Sequence, residues 1–365
     1  MVKQKALIVA GLVACLTGMP LAPISKPAHA VDFSGQTIEF IIPFAVAGGS
    51  DKWGRFYAPL IGKALPGSPV VVVKNEPGAG SITGTNRFAE RAKPDGLTII
   101  GTSGSTQFPY LLGDKRVKYE YKDWNVLLAS PTGGVAYVST ALGVKSAKDI
   151  AGLKDKKLLY GSQGATSLDL VSLLGFELLG LNVEPVFGMK GRADARLGLE
   201  RGELTIDYQT TSAYLSQVVP LVKEGKVVPL WSWGTLDANG DLARDPTVPD
   251  LPHFAEFYEM VHGKKPSGSG WNAWEAFFVA GFPGQKMIFL PKGTPKDIVA
   301  AYQTAMAKVL DDPDFKKTAV KALGAYPQFV GAAAEKTMVR AIKIDKEDRD
   351  WVRNWLKQRF SVELK

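Results

Sequence analysis

Three short stretches of small, hydroxyl-bearing residues mark where this chain could do chemistry. They are Gly48-Gly49-Ser50-Asp51, Thr102-Ser103-Gly104-Ser105-Thr106-Gln107 and Gly161-Ser162-Gln163-Gly164-Ala165-Thr166-Ser167. Each follows an apolar run and stands at a helix start, which places it on a strand-to-helix turn. The first N–H groups of a helix have no partner inside it, and the helix dipole adds partial positive charge, so such turns attract anions. Glycine lets the backbone come close to a ligand. Any one of these stretches reads better as a plain tight turn; three in one two-lobed chain point to an anion-binding cleft. Asp51 could serve as a general base, but at a helix start it reads better as a cap or a hydrogen-bond anchor.

Other chemistries lack their residues. No G-x-x-x-x-G-K-[ST] occurs, no G-x-G-x-x-G follows the first strand, and no G-x-S-x-G elbow is found. The only Cys is Cys15, and the only His are His29, His253 and His262, which excludes a cysteine-built zinc site and leaves little for a His-rich one. No cofactor, metal or catalytic residue is expected. Basic residues are scattered rather than clustered, which argues against nucleic acid.

The elements that must position these turns alternate regularly. Residues 38–44 form an apolar run suited to a strand covered on both faces. Trp53, Phe56, Tyr57, Leu60, Ile61 and Ala64 then repeat at helical spacing. A strand at 70–73, a helix at 82–92 and a strand at 97–100 follow, implying a parallel sheet with helices on both faces. The same grammar returns with strands at 158–160, 185–187, 205–208 and 227–231 and helices at 167–179, 192–201 and 213–224. Residues 235–272 read as a long excursion, rich in Pro, Gly, Asp and Ser, with a short helix near 253–262. A strand at 286–290 precedes helices opened by Thr294-Pro295-Lys296-Asp297, with Thr294 as cap, and by Asp312-Pro313, and 332–358 is largely helical. In open α/β sheets ligands bind beyond the carboxyl ends of the strands, which is where all three turns fall.

Residues 1–30 read as an export signal: Lys3 and Lys5, an apolar run at 6–16 too short to span a bilayer, and Ala28-His29-Ala30 as a cleavage site. Leu12-Val13-Ala14-Cys15 fits lipidation at Cys15 as the alternative to cleavage after Ala30. The 365 residues carry 44 Lys and Arg against 36 Asp and Glu, a net charge of +8, and removing Lys3, Lys5 and Lys26 leaves +5. A soluble envelope protein that attracts anions fits these counts.

At Ile41-Ile42-Pro43-Phe44-Ala45-Val46-Ala47-Gly48-Gly49-Ser50-Asp51, with Arg55 four residues on, the chain resembles the Bug, or TctC-type, solute receptors of tripartite tricarboxylate transporters. Val71 to Gly80 is similar to that family's V-x-N-x-P-G-A-G segment, and Pro94-Asp95-Gly96-Leu97-Thr98 to its P-D-G-x-T. Tyr160 to Ser167, Met189-Lys190-Gly191-Arg192 and Arg201 to Asp207 resemble second-lobe motifs, with Ala165-Thr166 and Met189 as departures. The resemblance implies an α/β, bilobed periplasmic-binding-protein (Venus-flytrap) fold, with two doubly wound sheets joined by a two-crossover hinge. Lobe 1 is expected at 31–130 plus 233–365 and lobe 2 at 131–232. The ligand-binding residues expected are Phe44, Gly48, Gly49, Ser50, Asp51, Ser103, Thr106, Ser162, Gly164, Thr166, Ser167 and Asp207. Lys190 and Arg192 either assist or lie exposed. The implied function is capture of a small organic carboxylate (a di- or tricarboxylate or an aromatic acid) by a monomer that hands it to membrane permease subunits. A sensor partnering a membrane signalling protein is the alternative, and a secreted hydrolase lacks its nucleophile and base.

Overall fold

The protein is described by a computed structural model that covers residues 31–237 and 240–364. The expected export segment, with Cys15 and His29, lies outside the described residues. The first sheet contains β1 (Thr37–Ile42), β2 (Val70–Asn75), β3 (Thr98–Ser103) and β4 (Asn125–Ser130). The second contains β5 (Gly134–Ser139), β6 (Leu158–Ser162), β7 (Val183–Phe187), β8 (Ile206–Thr210) and β9 (Val227–Ser232). A small hairpin of β10 (Thr235–Leu236) and β11 (Leu242–Ala243) follows, and β12 (Lys286–Leu290) returns to the first sheet. The strand orders are β2-β1-β3-β12-β4 and β7-β6-β8-β5-β9. β1, β2 and β3 run parallel, as expected, but β12 runs antiparallel between β3 and β4 because the chain re-enters from the other sheet.

Side chains alternate across the first sheet, so each face has its own core. Phe40, Ile42, Ile99 and Ile288 pack on Trp53, Tyr57 and Ile61 of α1 (Gly49–Ala64) and on Tyr302 and Met306 of α10 (Lys296–Asp311). Ile41, Ile100, Met287 and Phe289 pack on Phe88 of α2 (Ile82–Arg91) and on Ala334 and Ala341 of α12 (Gly331–Ala341). On the second sheet, Val135 and Tyr137 meet Ala195 and Leu199 of α5 (Arg192–Glu200). The helix expected at 213–224 consists of α6 (Thr211–Ala213), a π-helical turn and α7 (Val219–Lys223).

The opposite face of the second sheet holds the largest difference from expectation. The helix expected near 253–262 is α8 (Phe254–His262), but α9 (Ser269–Gly281) starts inside the excursion and runs past its end, and its Trp271, Trp274, Phe277 and Phe278 leave little polar face to read as an amphipathic helix. Phe254, Phe257, Trp274, Phe277 and Phe278 are buried with Tyr208, Trp231 and Trp233 of the second sheet side, together with α4 (Asp169–Leu179). Val352 and Leu356 of α13 (Lys346–Phe360) join them, and Phe108 of α3 (Gly104–Leu111) meets Phe277 edge to face. The chain after 233 therefore packs first on the second sheet. Among the remaining helix starts, Asp312 caps α11 (Pro313–Leu323) as expected, accepting from the N–H groups of Asp314 and Phe315. Thr294 does not cap α10; its hydroxyl turns back to the Pro291 carbonyl and Pro295 takes the cap position. No helix among the described residues is long and apolar enough to cross a membrane.

Trp274 is fully buried and donates from Nε1 to the Val171 carbonyl at 3.1 Å, which ties α9 to α4. Trp274→Ala is expected to destabilise the fold by about 3–5 kcal/mol, measured by urea unfolding.

Candidate functional site

The carboxyl ends of β1 and β3 face those of β6 and β8, with the starts of α1, α3, α4 and α5 between them. Phe44, Gly48, Gly49, Ser50, Ser103, Ser105 and Gln285 from the first side line a cavity of about 20 Å³, closed from the second by Gln163, Leu168, Gly191, Arg192, Tyr208 and Thr210. That volume holds roughly one water molecule. Glycines allow the close approach: a Cβ on Gly49 would stand 2.0 Å from the Thr210 hydroxyl oxygen, and one on Gly104 2.6 Å from Leu168 Cδ1. The Leu168 N–H also donates across to Ser105 Oγ at 3.1 Å. A second cavity, about 450 Å³, adjoins the first through Gln163. Gly80, Arg116, Gly164, Thr166 and Ser167 line it, together with Val362 and Leu364 near the C-terminus.

Asp51 holds the first turn. Its carboxylate accepts from the Ala47 N–H at 2.8 Å, from Arg55 Nε at 2.9 Å and from Asn75 Nδ2 at 3.0 Å. Asn75 Nδ2 also donates to the Phe44 carbonyl, so both ends of the turn hang on one carboxylate and one amide. Gly48 caps α1 without a side-chain bond, so the first N–H groups of the helix are presented at the cavity rather than to a cap.

Arg192 holds the second side. The guanidinium donates to the Gly161 carbonyl at 2.7 Å, to Asp169 at 3.4 Å, to the Tyr208 carbonyl and to Asp207, and it stacks 4.5 Å from the Tyr208 ring centroid. Burial works against its charge, yet the surrounding Tyr160 and Asp169 keep its pKa above the usual guanidinium value. Asp169 accepts from Ser162 Oγ at 3.0 Å and from the Gln163 N–H at 2.7 Å, which fixes the turn before α4. Arg192 is therefore buried, not an exposed side chain.

The expected residues divide by position. Phe44, Gly48, Gly49, Ser50 and Ser103 line the small cavity, and Gly164, Thr166 and Ser167 line the larger one. Asp51, Thr106, Ser162 and Asp207 line neither; they are buried behind the turns. Thr106 accepts from the Ser103 N–H and from Ser81, and Asp207 takes Arg192, Tyr137 and Gln209. Ser105, Gln163, Tyr208, Thr210 and Gln285 line the small cavity without having been expected there, and Arg192, read as either assisting or exposed, lines it too. Of these, Ser105 and Gln163 sat inside the stretches singled out by composition; Gln285 carried no signal.

Two α/β sheets whose strand ends and helix starts meet around a small cavity make the bilobed architecture of periplasmic binding proteins. The chain belongs to the tripartite tricarboxylate transporter family receptors, TctC, which it matches over residues 61–328. It is 25% identical over 340 residues to a protein of the tcbD-tcbE intergenic region of Pseudomonas sp. strain P51, covering 86% of this chain and 87% of that one. It is 37% identical to BugT of Bordetella pertussis over 84 residues, 23% of this chain and 25% of BugT. Among solved structures it is similar to a periplasmic transporter, with 23% identity, a TM-score of 0.67, and coverage of 90% of this chain and 98% of that one. It is also similar to MatC of Rhodopseudomonas palustris with bound malate, with 22% identity, a TM-score of 0.63, and coverage of 87% and 98%. A further R. palustris protein, solved with adipate, has 20% identity, a TM-score of 0.66 and coverage of 90% and 98%. These likenesses show the fold; the family is one of receptors, not enzymes.

Two substitutions test the construction of the cleft. Gly49→Ala is expected to hold the lobes apart, seen as a larger radius of gyration in small-angle scattering, and Thr210→Ala in the same chain to restore the compact value. Arg192→Met strands two buried carboxylates and is expected to cost about 3–5 kcal/mol in denaturant unfolding, with a smaller loss when Asp207→Asn accompanies it.

Proposed function

We propose that this protein is a periplasmic receptor that captures a small organic carboxylate for a tripartite tricarboxylate transporter. The observation that carries this reading is the meeting of uncapped helix N–H groups at Gly48–Gly49 with hydroxyls and amides of both lobes around one cavity. Aligned N–H groups stabilise an anion without a formal ion pair. Family membership and the malate- and adipate-bound proteins of the same fold support the ligand class. The closed cavity holds little more than a water, so the lobes part to admit the ligand and close over it, with the 450 Å³ cavity receiving the rest of a longer acid.

In this reading residues 1–30 direct export, the mature chain works as a monomer, and the closed lobes are what the permease subunits recognise. We place the crossings at 131–133, 283–285 and 342–345, with α8, α9 and α13 carried on the second lobe, in place of the crossing near 232.

A thermal-shift panel of mono-, di-, tri- and aromatic carboxylates tests it. A ligand at a hundredfold excess over its Kd adds about 2.7 kcal/mol of stability, and at least one acid is expected to raise the melting temperature accordingly. A broad panel without any stabilising carboxylate would overturn the reading.

A further inference from the structure

Lys286 is out of place. It opens β12 and is 1% exposed, at the end of the sheet that borders the cleft. Its Nζ has one hydrogen-bond partner among the described residues, the Gln285 side-chain oxygen at 2.5 Å, and no carboxylate pairs with it. Gln285 lines the small cavity. In the antiparallel register Lys286 stands opposite Ser103 of β3 and Ser130 of β4, and directly opposed residues project to the same face. Ser103 lines the same cavity, so the lysine lies in the cavity wall behind Gln285 and Ser103.

The ionisable groups of the surrounding elements are committed elsewhere. On α1, Asp51 is held by Ala47, Arg55 and Asn75, and the Tyr57 hydroxyl donates to Gln328. On α10, Tyr302 donates to the Gly96 carbonyl. Across the cavity, Arg192 is matched by Asp169 and Asp207. A buried ammonium with three donors and one neutral partner is costly to hold charged.

We propose that Lys286 is the charge that selects anions in this cleft: a bound carboxylate supplies the countercharge that the protein itself withholds. This rests on the carboxylate-receptor reading and adds its specificity determinant and its pH response. Burial lowers the Lys286 pKa to about 7. An anion in the cleft raises it again, so above pH 7 binding takes up a proton. Affinity is then flat below about pH 7 and falls by up to about tenfold per pH unit above it.

The sign for stability is opposite. Above pH 7 the unfolded chain binds the proton and the folded one does not, so the burden of the lysine is greatest below pH 7 and eases as pH rises toward 10.5. Lys286→Met keeps the volume and removes the charge. It is expected to melt higher than the parent at pH 6, by a margin that shrinks at pH 9.

The experiment is calorimetric titration of the mature protein and of Lys286→Met with malate and adipate. Titrations run from pH 6 to 9, in buffers of different ionisation enthalpy at pH 8. The parent is expected to take up close to one proton at pH 8. The variant is expected to take up none, to bind at least tenfold more weakly at pH 6, and to lose the pH profile while staying folded by its melting temperature. Equal affinity and equal pH profiles in parent and variant overturn the role of Lys286 and leave the receptor reading standing. A parent that binds neither these acids nor any member of the wider carboxylate panel overturns the receptor reading itself.

Discussion

The cavity face of the second sheet hangs on one guanidinium. Arg192 reaches the end of β6, the start of α4 and two residues of β8, so a single side chain sets the positions of three elements that meet at the cavity. Its charge is matched locally by Asp169 and Asp207, and Asp169 in turn orders the Gly161–Ser167 turn through Ser162 and Gln163. The first lobe solves the same problem with the opposite charge. There a carboxylate, Asp51, gathers a turn, an arginine and an amide. In both lobes these two ionic groups hold backbone in place, and the rest of the small cavity is lined mainly by glycines, hydroxyls and amides.

That division explains how much of the site could be read before the fold. The turns themselves were legible, because a strand followed by glycine and serine at a helix start has few other uses. The first strand and the strand at 286–290 were legible as continuous apolar runs. What could not be read was which polar groups would already be occupied. Thr106 is claimed by Ser81 and Tyr119, and Asp207 by Tyr137 and Arg192, all distant in sequence. Their roles as supports rather than lining residues depend on neighbours that only the tertiary fold supplies. Lys286 was hidden for the converse reason: a lysine beside an apolar run looks like a strand end at the surface, and only the register with Ser103 and Ser130 shows it enclosed.

The helix near 253–262 was legible, whereas α9, which begins at Ser269 and runs past the excursion, was not. Aspartate and proline are prominent at the start of the excursion, and α9 is aromatic around much of its circumference, so α9 carries no amphipathic signature. The helix makes sense as an element wedged between others. It meets α4 and α13 on one side and Phe108 of α3 on the other. In that position the helix packs mainly through apolar rings, with Trp274 bonded to the Val171 carbonyl, and its burial accounts for much of the large aromatic core around Trp231, Trp233 and Trp274.

The place of β12 has a consequence for how the chain acquires its structure. It sits between β3 and β4, yet it is reached only after the entire second sheet has been laid down in sequence. Until residues 286–290 arrive, β3 and β4 each present an unpaired edge. The second sheet draws its strands from one continuous stretch and is under no such restriction. Long-range pairing of this kind slows folding, so the lobe that emerges first is the one completed last. A chain that stops short of β12 would carry an open sheet with two exposed edges, an arrangement suited to aggregation rather than binding.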